Sequence, residues 1–366
     1  MKGSKTSRRE HLKQLGLGAS SLLISSQGLY AFEQNQDVKS LGIALVGLGN
    51  YATQALAPAF AKTQFCHLAG IVSGTPAKAE KWKKEHNIPE KNIYNYENFD
   101  QIADNDDIDI VYIVLPNALH AEYSIRAAEA GKHVICEKPM AMNAEECRQM
   151  IAAAKKAVVK LSIGYRLHFE KHHQEAMRLG QDAVYGKVRF MEGGLAFRVR
   201  NTSLWRLDAM LGGGGAIMDL GVYPLQAARY ISGEEPISVS AQGYNTAPEI
   251  YKGIYESINF QLEFPSGSLA NISTSYGYYL DRFRAASENG WFELAPSFNG
   301  TGSSGNTSEG PMVFEKVVQQ ALQMDDFSQC IQEDKVSRVS GEEGLRDMII
   351  IDKIKEAAES GRKILL

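Results

Sequence analysis

Leu41-Gly42-Ile43-Ala44-Leu45-Val46-Gly47-Leu48-Gly49-Asn50-Tyr51-Ala52 is the stretch that decides the fold. Its first six residues lack polar alternation, as in a strand covered on both faces. Gly-x-Gly-x-x-Ala follows, and then a helix-like run from Thr53 to Thr63. A strand turning through that pattern into a helix is the dinucleotide-binding fingerprint. Gly47 permits the tight turn, Gly49 lets backbone approach a pyrophosphate, and Ala52 keeps helix and strand close. The helix start, with Leu48, Asn50 and Tyr51, turns free N–H groups and partial positive charge towards the phosphates.

Working outward, the next apolar strand, His67 to Val72, runs into Ser73-Gly74-Thr75-Pro76-Ala77-Lys78. An NAD-preferring site usually places a carboxylate here for the ribose 2′-hydroxyl. Ser73 as a donor and Lys78 as a charge suit a 2′-phosphate instead, so NADP is the expected cofactor. Another apolar strand, Val111 to Leu115, ends in Pro116-Asn117-Ala118-Leu119-His120. After a helix from Ala121 to Ala130, the strand His133 to Cys136 ends in Glu137-Lys138-Pro139. Ligands bind at the carboxyl ends of such strands. Pro116, Asn117, His120, Glu137 and Lys138 are therefore candidate contacts near the nicotinamide. Helix capping is the alternative for Asn117.

The segment Lys160 to Gly164 reads as the last strand of this domain, giving a dinucleotide-binding domain over 41–163 and a second domain over 164–366. Strand-like alternation at Gly186 to Glu192, Ile237 to Gly243, Ile258 to Glu263 and Ser268 to Ser275 lacks intervening helices. That predicts an α+β domain with a mainly antiparallel sheet. The glycines Gly212 to Gly215 precede a helix that puts Asp219 and Tyr223 at i and i+4, on one face. A cap for Asp219 and a core position for Tyr223 are the alternatives. Phe298 to Pro311, rich in Gly, Ser, Thr and Asn, reads as a mobile surface loop and a candidate lid.

The chain has 366 residues, 44% hydrophobic and 22% charged, as in a soluble globular protein of two domains. Its net charge is −4, although Lys2, Lys5, Arg8, Arg9 and Lys13 oppose only Glu10 in the first 31 residues. The remainder is more acidic still, which argues against nucleic acid and anionic membrane as partners. Cys66, Cys136, Cys147 and Cys330 are widely spaced and read as free thiols, and no metal site is expected. His172-His173 reads as a solvated helix surface.

Residues 1–31 have a basic start, a short apolar core and a small residue at the end, the pattern of an export signal. The core is too short to span a bilayer. Arg8-Arg9 resembles the twin-arginine type, with His11 where that motif usually has Phe. Such export carries folded proteins, which suits one that must first acquire a cytoplasmic cofactor. The expected destination is the periplasm, and 32–40 form a short arm before the first strand.

Together, Gly47-Leu48-Gly49, Pro116-Asn117, His120, Glu137-Lys138-Pro139, Gly164-Tyr165-Arg166 and the glycine-rich run through Asp219 to Tyr223 carry a family resemblance. From about Leu41 onward the chain resembles the glucose–fructose oxidoreductase / inositol dehydrogenase (GFO/IDH/MocA) family. Tyrosine at 223, where many members have His, looks most like the glucose–fructose oxidoreductase branch. So do Ser73-Gly74, Lys78, Trp205-Arg206 and Gly233-Glu234-Glu235-Pro236. The resemblance implies a Rossmann domain followed by an open-faced sheet domain that commonly builds a dimer, so a homo-oligomer, dimer or tetramer, is expected. It also implies hydride transfer between a sugar carbon and nicotinamide, with one sugar oxidised to a lactone and a second reduced on unreleased NADP. The short arm departs from that branch, which leaves an ordinary dehydrogenase that releases its cofactor as the alternative. A non-catalytic sugar or nucleotide sensor on the same fold is a further one.

Removing hydride from a carbinol carbon requires a base within hydrogen-bond reach of its hydroxyl. Tyr223 is the candidate base. Lys138 would stabilise charge beside it or on the reacting oxygen. Asp219 would orient Lys138 or a sugar hydroxyl, and Arg166, Trp205 and Arg206 are candidate contacts to cofactor or sugar.

Overall fold

The computed structural model describes residues 39–366. The expected export signal, and the expected arm up to residue 38, lie outside the described residues. Six strands form the first sheet: β1 (Leu41–Val46), β2 (Cys66–Val72), β3 (Ile93–Tyr94), β4 (Ile110–Ile113), β5 (His133–Cys136) and β6 (Leu161–Ile163). Their spatial order is β3-β2-β1-β4-β5-β6, and every pairing is parallel. This is the doubly wound Rossmann order. Every residue of β1 is buried, which accounts for its unbroken apolar sequence. In β4 and β5, Ile113 pairs with Cys136, so the two strands stop level and put the loops after them at one edge.

The expected helix after Gly49 is composite. A π-turn, Ala52–Leu56, runs into α1 (Ala57–Ala59) and a 3₁₀ turn, Phe60–Lys62. Pro58 brings no N–H to this turn, and the Ala57 N–H reaches back five residues to the Ala52 carbonyl. α2 (Pro76–His86), α3 (His120–Glu129) and α4 (Ala144–Ala157) complete the first layers. The Asn143 side chain caps α4 by accepting from the Glu146 N–H.

α5 (Lys171–Gln181) leads into a nine-stranded sheet. Its strands are β7 (Val188–Ala196), β8 (Ser238–Tyr244), β9 (Ser257–Glu263), β10 (Leu269–Ser275), β11 (Leu280–Ser287), β12 (Gly290–Leu294), β13 (Gly305–Thr307), β14 (Gly310–Met312) and β15 (Ile364–Leu365). All neighbours are antiparallel except β7 and β10. Between them lie α6 (Ala209–Gly212), α7 (Val222–Ser232), α8 (Gln319–Gln332) and α9 (Gly341–Ser360). α5, α7 and α9 pack on one face of the sheet. The opposite face exposes Ser240, Gln242, Asn259, Gln261 and Asn271.

Two expectations fail here. The lid over 298–311 is not what forms. Phe298 is buried, and 305–312 make the β13–β14 hairpin, which extends the sheet from β12. Backbone pairing orders a segment whose small polar side chains carry no apolar pattern. His172 and His173 are not solvated either; both are buried. His173 Nε2 lies 2.8 Å from the Ser297 carbonyl, and His172 Nδ1 lies 2.9 Å from Glu170 Oε1.

α8 returns the chain to the first sheet, where Ala321, Met324 and Phe327 join a core with Leu45, Leu56 and Tyr112. Asp325 fixes this return by accepting from the Gln64 and Phe65 N–H groups, each at 2.9 Å to Oδ1. A buried ion pair ties α7 to α9: Arg229 Nη1 lies 2.5 Å from Asp347 Oδ1, and Gln226 Nε2 donates to Oδ2 at 2.7 Å. No described helix is long and apolar enough to cross a membrane.

Candidate active site

The site grows from the end of β5. The next residue, Glu137, turns inward, accepting from Tyr112 Oη at 2.7 Å and from the Lys138 N–H at 3.2 Å. Gly164 makes room for it, since a Cβ there would lie 2.7 Å from Glu137 Oε1. Burial raises the Glu137 pKa, and neither the Tyr112 hydrogen bond nor the Lys138 and Arg166 charges fully offset it.

Lys138 extends across the domain junction. Its Nζ donates to the Asp219 carbonyl at 2.7 Å and lies 3.5 Å from Asp219 Oδ1. The same Nζ sits 4.6 Å from the Tyr223 ring centroid, and Arg166 Cζ sits 5.2 Å from it. Two cations thus bracket one phenol, at distances where each is attracted to the ring. Arg166 is buried and immobilised: Nη1 donates to Gln319 Oε1 at 2.5 Å and Nη2 to the Phe298 carbonyl at 2.7 Å.

Asp219 lies in a π-turn, Ile217–Gly221, rather than in a regular helix. Pro224, five residues on, has no N–H to offer the Asp219 carbonyl, which receives Lys138 instead. The Asp219 carboxylate does not cap the helix. Its Oδ2 lies 3.1 Å from Arg206 Nε and accepts from Tyr276 Oη at 3.2 Å. Burial works to raise its pKa, but the charges of Lys138 and Arg206 prevail and hold it below the usual carboxylate range. Burial, with the Asp219 charge beside it, pushes the Tyr276 hydroxyl well up. Arg206 also stacks on Trp205, 4.6 Å from its ring centroid.

The predicted residues separate into groups. Lys138, Arg166, Asp219, Tyr223 and Arg206 come together. Asn117 is buried and does not cap a helix; Nδ2 donates to the Gly212 carbonyl of α6 at 2.9 Å, pinning the domains together. His120 is not placed to touch a ligand. Its ring nitrogens face the Pro139 carbonyl at 2.8 Å and the Leu115 carbonyl at 2.9 Å. A neutral ring has one N–H for these two acceptors, and burial lowers its pKa. His120 therefore braces the Lys138-Pro139 turn. Pro116 starts the short turn that carries Asn117.

At the dinucleotide end, Gly47 has φ +96°, and a Cβ on it would lie 2.6 Å from the Val114 carbonyl oxygen. Gly49 instead faces open space, with no atom within 4 Å of a Cβ built on it. Open space beside a helix start, with no side chain to fill it, fits a pyrophosphate. Leu48 packs in the core, so only its backbone is available, whereas Asn50 is exposed. Burial and the nearby Glu137 charge push the Tyr51 hydroxyl well up. Ser73 Oγ accepts from the Thr75 N–H at 3.2 Å, shaping the turn into α2, and Lys78 is exposed on that helix's first turn.

Sequence reasoning missed the polar face of α8. Gln319 holds Arg166, Gln323 Nε2 donates to Tyr112 Oη at 2.9 Å, and Gln320 Nε2 reaches Tyr51 Oη at 3.5 Å. Three glutamines at i, i+1 and i+4 look solvated in sequence, and only the return of α8 buries them. Tyr276 was missed as well; its one signal is its place at the end of an apolar-alternating strand. Among the described residues, no cluster of His, Cys, Asp or Glu is arranged to hold a metal.

A Rossmann domain whose dinucleotide cradle opens beside a Lys–Asp–Tyr cluster defines a nicotinamide-dependent oxidoreductase. Residues 41–165 match the GFO/IDH/MocA oxidoreductase family with its NAD-binding Rossmann fold, and 173–293 match the GFO/IDH/MocA C-terminal domain. The chain belongs to the GFO/IDH/MocA family. It is 30% identical to a D-xylose 1-dehydrogenase [NADP(+)] of Haloarcula marismortui, over 91% of this chain and 95% of that one. Among solved structures it is similar to an aldose–aldose oxidoreductase from Caulobacter crescentus, with 41% identity and a TM-score of 0.88, over 90% of this chain and 100% of that one. A 3-ketoreductase from Actinomadura kijaniata shares the fold at 22% identity and a TM-score of 0.77, over 87% and 98%.

Proposed function

We propose that this protein is an NADP-dependent sugar oxidoreductase that oxidises an aldose to its lactone and reduces a second sugar on the same cofactor. One observation carries the reading. Lys138, at the end of β5 and fixed by the Asp219 carbonyl, and Arg166, fixed by α8, bracket Tyr223 of α7.

When bound, the nicotinamide supplies the hydride acceptor and donor. Backbone at Gly47 to Tyr51 would hold its pyrophosphate, and Ser73 with Lys78 its 2′-phosphate. The protein's own work is proton transfer and charge placement. Tyr223 takes the hydroxyl proton of the donor sugar and returns it to the carbonyl oxygen of the acceptor. Lys138 spends one N–H on the Asp219 carbonyl and keeps the others for the reacting oxygen. Asp219 anchors Arg206, and with it Trp205, on the substrate side.

The 41% identity to the aldose–aldose oxidoreductase over that chain's whole length supports the two-sugar cycle. The D-xylose dehydrogenase relative favours a second reading, an ordinary NADP-dependent sugar dehydrogenase that releases its cofactor. Mass spectrometry of the co-purifying cofactor, then a panel of aldoses as donor and acceptor without added NADP, separates them. Turnover after dialysis supports the first reading. Strict dependence on free NADP leaves the second, and no turnover with any sugar removes both. We further propose export to the periplasm through the twin-arginine-type signal in 1–31, tested by cell fractionation. Association into a homo-oligomer through the open sheet face is proposed as well, tested by sedimentation.

A further inference from the structure

One short turn, Ser297-Phe298, touches Tyr223 in two ways. The Phe298 ring lies 6.2 Å from the Tyr223 ring, centroid to centroid. The Phe298 carbonyl accepts from Arg166 Nη2 at 2.7 Å, and that guanidinium sits against the same phenol. The turn itself is fixed by Asp281, a half-buried residue of β11. Asp281 Oδ1 accepts from the Ser297 N–H at 2.9 Å and from the Phe298 N–H at 2.7 Å. Both turn residues are buried, so their N–H groups need such an acceptor, and a carboxylate holds them more strongly than a neutral oxygen would. His173 Nε2, 2.8 Å away, and Ser303 Oγ, donating at 2.6 Å, hold the Ser297 carbonyl. Phe283, on the same face of β11 as Asp281, meets the Phe298 ring edge-on at 6.2 Å.

We propose that Asp281 is a positioning residue for the reaction: through the Ser297-Phe298 turn it holds Arg166 and the Phe298 ring against Tyr223, and so sets where the base stands. The inference rests on Tyr223 being that base. Asp281 belongs to the second sheet, whereas Arg166 follows the last strand of the first, so one carboxylate couples the two sheets at the reacting end. Its Oδ1 is spent on two backbone N–H groups, and its effect on the reaction passes through the turn. Without that acceptor, Arg166 keeps Gln319 but loses a fixed carbonyl, and the phenol loses a fixed wall. A displacement of roughly 1 Å at a proton-transfer group costs up to about 100-fold in rate. Sugar and dinucleotide affinity depend on other residues. The expected signature is therefore a slower chemical step at unchanged binding.

The test is single-turnover reduction of the NADP-loaded protein by a panel of aldoses that includes D-xylose and D-glucose, which serves whether or not the cofactor is released. Asp281→Ala is expected to lower the limiting rate about tenfold. The half-saturating sugar concentration and the bound nucleotide are expected to stay as in the wild type. Asp281→Asn keeps an oxygen that can accept both N–H groups and is expected to restore most of the rate; an equal loss in both variants overturns the proposal. Combined with Arg166→Lys, Asp281→Ala is expected to cost less than the product of the two single losses, because both act at one contact. Losses that multiply overturn it, as does a changed sugar affinity at unchanged rate. If Asp281→Ala does not fold, Asp281→Glu, which carries the oxygen one methylene further, is expected to lose rate several-fold, and a full rate overturns the proposal. An unchanged rate in Asp281→Ala, with Tyr223→Phe inactive, removes the positioning role alone. A normal rate in Tyr223→Phe, or no reduction of the wild type by any aldose, removes the base reading and this role with it.

Discussion

The residues proposed for the dinucleotide end of the site run almost consecutively, from Gly47 to Tyr51, with Ser73 and Lys78 one strand away. Those proposed for the reacting end, Lys138, Arg166, Asp219 and Tyr223, come from four separate elements, with support from a fifth, α8. A phosphate cradle needs backbone N–H groups and the absence of side chains, which a short motif supplies by itself. A proton-transfer site needs side chains held at fixed distances, which requires packing from several directions. Damage at the two ends should therefore look different.

The largest effect is expected at the assembled end. Tyr223→Phe and Lys138→Ala should each lose kcat by at least ~100-fold while retaining the cofactor, read by steady-state kinetics and by bound-nucleotide absorbance. Near-normal turnover in either variant would break the contrast. Next comes the support beneath α7. Asp347→Ala leaves the Arg229 guanidinium buried without its closest partner and should cost about 3–5 kcal/mol of unfolding free energy in denaturant titration.

A smaller effect concerns acid. His168 is neutral in the fold, with its pKa lowered from 6.5 to about 4. The unfolded chain takes up this proton first, so stability is lost as pH falls through that window, by about 3 kcal/mol from His168 at its lower end. Burial raises the Glu137 pKa and acts in the opposite direction, so the wild type alone mixes the two. The difference in denaturation midpoint between wild type and His168→Gln should therefore narrow as pH drops from 7 to 4.5. A constant difference would mean that His168 is not held neutral.

The smallest effect belongs to the motif end. Lys78→Ala should raise KM for NADP about tenfold, on the scale of one exposed charge-assisted contact, and leave KM for NAD unchanged. Equal shifts for both would show that Lys78 does not read the 2′-phosphate.

The comparison also explains how far the sequence could be read. The uninterrupted apolar strands and Gly-x-Gly-x-x-Ala announced a parallel sheet and its ligand edge, because local backbone geometry dictates both. Lys138, Asp219 and Tyr223 could be nominated from their places after strands and glycines. Asn117 and His120 could be placed at the strand-end edge, but their hydrogen bonds could not be read, because the carbonyls they bond, on Gly212, Pro139 and Leu115, carry no side-chain signature. The glutamines of α8 and the buried pair His172-His173 looked solvated, since polarity in sequence does not say which face a later element will cover.

By itself, then, the sequence determined the Rossmann half and the Gly-x-Gly turn, since each depends on neighbours a few residues away, and it nominated Lys138, Asp219 and Tyr223 as the reacting side chains. Tertiary structure alone decided that Lys138 bonds the Asp219 carbonyl, that Arg166 is held by Gln319, and that 305–312 joins a sheet. Those contacts join residues far apart in the chain, and only the closing of α8 and α7 over the first domain's strand ends brings them within bonding distance.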